Sequence, residues 1–156
     1  MAARLDHPGI VIRPFASADE DAVIALWEAA GLTRPWNDPR KDIARKLDVQ
    51  PEGFLVAVAD GEVVGSVMAG YDGHRGWVNY LAVAPGSRRS GVGRTLMAAA
   101  EGILEGLGCP KVNLQIRATN RAAVSFYEAL GYSTDDVISL GRRLEHDLPA
   151  SARPHG

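Results

Sequence analysis

Period-two alternation and stripes with a period near 3.6 succeed one another along this chain, and turn residues mark the changes. Ile10-Val-Ile-Arg13 predicts a short first strand. Ser17-Ala-Asp-Glu20 has the spacing of a capping box, and the stripe Ala22, Val23, Leu26, Trp27 and Ala30 predicts a helix that Gly31 stops. Asp38 before Pro39 fits an N-cap and first helical position, with Ile43 and Leu47 as the apolar face of a second, short helix. Phe54 to Ala59 and Val63 to Tyr71 predict a hairpin whose Asp60-Gly61 link suits a primed turn. Gly73 breaks the chain before a strand at Val78 to Val83, and a long helix follows from Gly91 to about Leu107. Val112 to Ile116 reads as a strand, Asn120 to Leu130 as a helix ended by Gly131, and Val137 to Leu140 as a last strand. The predicted order is β-α-α-β-β-β-α-β-α-β, a mixed α/β domain without internal repeat.

The ends, Met1 to Gly9 and the run from Pro149, are rich in Pro, Gly and small residues and lack an apolar period. The domain is therefore placed at 10–144, with flexible segments at 1–9 and 145–156. With 46% hydrophobic and 23% charged residues in 156, the chain has material for one core and is not disordered. A net charge of −2 gives no long-range attraction to nucleic acid or to an anionic membrane. No apolar run approaches the length of a membrane span and the start lacks an apolar secretion segment, so a cytoplasmic protein is expected. The single cysteine, Cys109, supports neither an internal disulfide nor a thiolate metal cage, and no metal is expected.

The stretch from Asn79 to Met97 joins an apolar strand to a helix through the loop Ser87-Arg-Arg-Ser-Gly-Val-Gly93. Gly91 and Gly93 lack the Cβ that blocks close approach, so backbone N–H groups and the helix N-terminus there suit a pyrophosphate. Glycines also break strands and start helices with no ligand involved. The stretch lacks the Gly-Lys-Ser/Thr ending of P-loop nucleotide hydrolases and the three-glycine dinucleotide fingerprint. Arg88-Arg-Ser-Gly91-Val-Gly93 resembles the Gln/Arg-x-x-Gly-x-Gly/Ala coenzyme A loop of the GNAT acetyltransferase superfamily, and the resemblance covers about residues 10 to 144. It implies the GNAT fold, a mixed, mostly antiparallel sheet flanked by about four helices, with acetyl-coenzyme A as co-substrate. It also implies that Leu81, Ala82 and Val83 pair with the pantetheine arm. Amides of Arg88, Arg89, Ser90, Gly91, Val92, Gly93 and Arg94 would then take the pyrophosphate. The arginine side chains themselves read either as phosphate contacts or as a solvated basic edge.

A second segment, Asn120-Arg-Ala-Ala-Val-Ser-Phe-Tyr-Glu-Ala-Leu-Gly-Tyr132, is similar to the family's Asn-x-x-Ala-x-x-x-Tyr-x-x-x-Gly-Phe/Tyr element. Helical spacing puts Asn120, Ala123, Val124 and Tyr127 on one face. Alone, Asn120 reads as an N-cap and Tyr127 as a packed aromatic. The resemblance implies that Asn120, Ala123, Phe126 and Tyr127 line the coenzyme, and that the Tyr127 hydroxyl protonates the departing thiolate.

The general base departs from the family pattern. Relatives that acetylate protein N-termini often carry a Glu on the strand after the long helix, where this chain has the neutral Gln115. Trp77 stands where histone-type relatives often place a carboxylate. His74, in Gly70-Tyr-Asp-Gly-His-Arg-Gly76, is the candidate base because an imidazole titrates near neutrality. Asp72 near it is a candidate substrate contact, although Asp-Gly is also ordinary turn sequence. Arg34-Pro-Trp-Asn-Asp-Pro39 falls between the first two helices, and the resemblance implies that Trp36 and Asn37 there face the acceptor. These peptides and Val137-Ile-Ser-Leu-Gly-Arg-Arg143 resemble the bacterial YpeA-type branch. The implied function is transfer of an acetyl group to an amine acceptor; the alternatives are a non-catalytic acyl-coenzyme A sensing module and a protein N-terminal acetyltransferase. A homodimer is left open.

Overall fold

The computed structural model describes residues 9–148. Its strands are β1 (Ile10–Pro14), β2 (Phe54–Ala59), β3 (Glu62–Tyr71), β4 (Gly76–Val83) and β5 (Val112–Leu114). Its helices are α1 (Glu20–Ala29), α2 (Pro39–Asp48), α3 (Val92–Gly106) and α4 (Arg121–Ala129). The strands form one sheet in the order β1-β2-β3-β4-β5. The first four pair antiparallel, and β5 runs parallel to β4.

Side chains of β2 alternate between two apolar layers. Leu55 and Ala57 join Val67, Ala69 and Val78 against Val92, Leu96, Met97, Ala100 and Leu104 of α3. Phe54 and Val56 join Met68 and Ala82 against Val23, Ile24, Leu26 and Trp27 of α1 and Ile43 of α2. Both faces of the sheet are thus covered, which is why β2 reads as a continuous apolar run. Asp38 caps α2, its carboxylate accepting from Arg40 N at 2.9 Å, as the Asp-Pro pair predicts. The Asp60-Gly61 turn has positive φ at both residues, 50° and 78°, as a primed hairpin turn requires.

Three expectations need correction. The chain enters α1 through a single turn of 3₁₀-helix at Ser17–Asp19 whose N-cap is Ala16, and the side chain that takes a backbone N–H there is Asp19, not Ser17. The Asp19 carboxylate is already held by Arg13 at 2.7 and 2.8 Å, and from there it accepts Ala16 N at 2.8 Å. No strand forms at Val137 to Leu140 among the described residues: β5 ends at Leu114, so that segment has no ladder to join, and Val137, Ile138 and Leu140 stand in solvent. Finally, the proposed tail from 145 is anchored as far as it is described. The Asp147 side chain is fully buried, accepts Asp38 N at 2.8 Å and pairs with Arg45 of α2. Residues 1–8 and 149–156, placed in the flexible ends, lie outside the described residues.

Candidate functional site

The β4–β5 ladder is short, and its shortness opens the molecule. Only Gly76, Trp77 and Val78 pair with β5, so from Asn79 to Val83 the outer edge of β4 carries no strand among the described residues. The inner edge remains paired to β3 through Ala82 and Val83. Past Val83 the chain makes a turn at Pro85–Ser87 and enters α3. Arg89 and Gly91 have φ of 66° and 85°. Gly91 is the N-cap of α3, and no side chain of the described residues caps that helix. The first-turn N–H groups of an uncapped helix point outward with a partial positive charge. Val92 is buried in the core, so it offers the loop only its amide, and Arg88, Arg89 and Arg94 are exposed. The Ser90 hydroxyl donates to Ser87 O and ties the loop to itself.

Gly93 packs tightly. A Cβ there would lie 3.1 Å from Phe126 Cζ, so this glycine lets α4 lie close to α3. Phe126 and Tyr127 pack on the α3 side of the core beside Leu81 and Val83. Tyr127 stands edge-on to Phe126 and Tyr132, with centroids 5.1 and 5.7 Å away. Burial pushes its hydroxyl up to about 12. Ala123 is half-buried on the same helix, and Asn120 is exposed and caps it, its side-chain oxygen accepting Ala123 N at 3.1 Å. The structure therefore brings Leu81, Val83, the 88–94 loop, Ala123, Phe126 and Tyr127 to one side of the sheet. Ala82 points to the other layer, which leaves only its main chain for that side.

The hairpin residues lie elsewhere. The Asp72 carboxylate accepts His74 N at 2.8 Å, Arg75 N at 2.7 Å and Trp77 Nε1 at 3.3 Å, which locks the β3–β4 turn. Those backbone bonds hold its carboxyl below the usual range. His74 is exposed in this turn, and the four residue steps from Gly76 to Tyr80 alone span about 13 Å of strand. Trp36 is 42% exposed in the loop before α2. The structure brings neither it nor Asp72 nor His74 to the cavity described next; Asn37 does reach it.

That cavity, of about 440 Å³, opens on the α2 side of β4. Asn37, Asp42, Arg45, Lys46, Met68, Asn79 and Tyr80 are among its walls. A register shift between β3 and β4 creates it: Met68 pairs with Asn79 but Ser66 with Ala82, so β4 bulges at Tyr80 and Leu81. Tyr80 takes φ of 52°, and Asn79 and Tyr80, neighbours in sequence, both line the cavity. The bulge is held from inside the core. Trp27 Nε1 donates to Ser66 Oγ at 2.8 Å, Ser66 Oγ donates to Tyr80 O at 3.0 Å, and the Tyr80 ring stacks on Trp27 with centroids 3.8 Å apart. At the outer end the Tyr80 hydroxyl donates to Asp42 Oδ2 at 2.6 Å and accepts from Asn37 Nδ2 at 2.9 Å. Burial and Asp42 together raise the Tyr80 pKa.

Sequence reasoning missed Asp42, Lys46, Ser66 and Tyr80. One signal was present: in Val78-Asn-Tyr-Leu-Ala-Val83 two consecutive polar-ended side chains interrupt an otherwise apolar strand, as a bulge at a site does.

The family model described as the acetyltransferase (GNAT) family matches residues 22–132. The chain belongs to the GNAT acetyltransferase family. An acetyltransferase of Pectobacterium atrosepticum is 52% identical over 136 residues, which cover 87% of this chain and 96% of that protein. Among solved structures, Ard1 from Thermoplasma volcanium superposes with a TM-score of 0.67 at 27% identity, covering 80% of this chain and 83% of its own. The aminoglycoside acetyltransferase AAC(6')-Iy, solved with a coenzyme A bisubstrate analogue, shares the fold with a TM-score of 0.72 at 19% identity, covering 86% and 97%. A five-stranded mixed sheet flanked by four helices is thus a GNAT architecture in this chain, and the protein is an acetyltransferase.

Proposed function

We propose that this acetyltransferase uses acetyl-coenzyme A and passes the acetyl group directly to a primary amine. The observation that carries the reading is the edge of β4 at Asn79–Val83, which carries no strand among the described residues, followed along the chain by the start of α3 at Gly91, which no described side chain caps. An extended pantetheine arm has main-chain groups to pair with at Leu81, Ala82 and Val83, and the N–H groups of residues 89–94 face a diphosphate. The arginines 88, 89 and 94, being exposed, add attraction and little geometry. Asn120, committed to capping α4 through its oxygen, borders the arm.

In the transfer the amine nitrogen forms a bond to the thioester carbonyl carbon, the carbon–sulfur bond breaks, and nitrogen loses a proton while sulfur gains one. Amides of the β4 bulge near Leu81 suit the carbonyl oxygen as its charge develops. The Tyr127 hydroxyl supplies the sulfur's proton, and the amine's proton leaves through the cavity that Asn79 and Tyr80 line. His74, remote along β4, takes no part in this reading.

Calorimetry with acetyl-coenzyme A, paired with thiol release over a panel of primary amines, tests the proposal. Saturable binding and amine-dependent thiol release are expected. Binding without release by any amine would favour the acyl-coenzyme A sensing module, and no binding would overturn both.

A further inference from the structure

We infer that the cavity between α2 and β4 takes a small amino carboxylate, its amine held at Asp42 and Tyr80 and its carboxylate at Lys46; the inference rests on the acetyl-transfer reading. The two charged residues are four apart on α2, hence on one face about one turn apart, and both line the cavity. Asp42 supplies the negative end. It binds the Tyr80 hydroxyl and Asn37 through Oδ2 and Arg45 through Oδ1 at 3.1 Å, so its position is fixed. Four lone-pair directions on a carboxylate against three donors leave one for an incoming N–H.

Lys46 supplies the positive end. Its Nζ donates to Ala69 O at 2.6 Å, and no carboxylate of the described residues lies within ion-pair distance of it. Its neighbour on the helix behaves otherwise: Arg45 is neutralised by Asp42 and Asp147. Lys46 is half-buried, and burial pulls its pKa down, with Glu52 acting in the opposite sense and less than burial. A partly desolvated ammonium holding a carbonyl but no counter-ion, in a wall of the cavity beside the bulge, favours an anionic ligand group. Met68 and Val49 give the same cavity an apolar wall for the ligand's body.

The occupant is a free small molecule and not a polypeptide end because the chain crosses the cavity's border. Arg143 donates to the cavity-lining Asn37, and Asp147 is seated on Asp38 N and Arg45. That segment is held against Asn37 and Arg45, two residues of the cavity's wall, and so competes with an extended peptide for that border.

The test compares each of the twenty standard amino acids with its carboxamide, and with a tripeptide beginning with the same residue, in a thiol-release assay with saturating acetyl-coenzyme A. Binding of acetyl-coenzyme A by calorimetry runs alongside. A charge-assisted contact gives at least about a tenfold preference in kcat/KM for the free carboxylate over the amide. In Lys46→Met, and in Lys46→Gln as a second variant, that preference should fall to within about twofold while acetyl-coenzyme A affinity is unchanged. Equal rates with acid and amide, a preference for the tripeptide, or a preference that survives both Lys46 variants would overturn the inference. If acetyl-coenzyme A binds and other amines react but no amino acid does, the inference fails and the acetyl-transfer reading stands. If acetyl-coenzyme A does not bind, the underlying reading fails and the inference with it.

Discussion

Ser66 and Trp27 are fully buried, and one hydroxyl serves both the indole N–H and the Tyr80 carbonyl. Ser66→Ala removes both bonds and leaves a core N–H with no acceptor, a loss of about 1–3 kcal/mol. Denaturant unfolding should show that loss, and the freed bulge should lower kcat/KM as well. A variant as stable as the parent would mean that Trp27 finds another acceptor. Tyr127 is the second residue whose environment decides its chemistry. Because burial raises its pKa to about 12, the hydroxyl stays protonated through the neutral and mildly alkaline range, and no activity loss below about pH 11 belongs to its ionisation. It is also a weaker acid than a solvated phenol, so in the proposed transfer its donation to sulfur would help without being indispensable. Tyr127→Phe keeps the ring between Phe126 and Tyr132, so stability and acetyl-coenzyme A affinity should hold while kcat falls by a factor of about 10² or less. An unchanged kcat would reduce Tyr127 to a packing residue.

At the scale of elements, the start of α3 concentrates the demands on backbone shape. Gly91 sits at φ 85°, where a β-branched residue is a strong outlier. Gly91→Val should abolish acetyl-coenzyme A binding in calorimetry and lower stability by about 1–2 kcal/mol, the helix itself remaining. Equal affinity would remove the loop from the binding site. The loop and its glycines were readable because they are local: a strand, a turn and a helix start follow one another within twenty residues. The bulge was not, because it is a register event between β3 and β4, visible only when Ser66 is paired with Ala82 and Met68 with Asn79. The same distinction explains the last strand. Val137-Ile-Ser-Leu140 has strand composition, but a strand exists only through a ladder partner, and β5 stops at Leu114. Asp42 and Lys46 lie outside the Ile43 and Leu47 positions that marked the short helix, and nothing in the sequence says that α2 turns them toward the bulge.

At the scale of the whole molecule, the chain after α4 returns to the beginning of α2, and Asp147 is the clasp. Its carboxylate accepts Asp38 N at 2.8 Å, pairs with Arg45, and lies 3.8 Å from Arg143, which in turn reaches Asn37. Arg45 holds the Asp147 carboxyl down at about 2, against an ordinary value of 3.8. A folded-state pKa below the unfolded one means that the unfolded chain binds the proton first, so the contribution is complete above about pH 4 and is lost as pH falls through about 2. Because Arg45 is 43% exposed, water screens the pair, and its worth is on the order of 1 kcal/mol, less than the shift alone would give. Asp147→Asn keeps the size of the side chain and an oxygen for Asp38 N, so it isolates the charge. Denaturant midpoints of the parent and the variant should differ by a constant amount from pH 7 to about pH 4.5 and converge toward pH 2.5. Since Asn37 is fastened to the same segment, the variant should also raise the acceptor KM while leaving the acetyl-coenzyme A affinity unchanged. A stability difference that persists undiminished at pH 2.5 would show that Asp147 holds the segment by shape and not by charge.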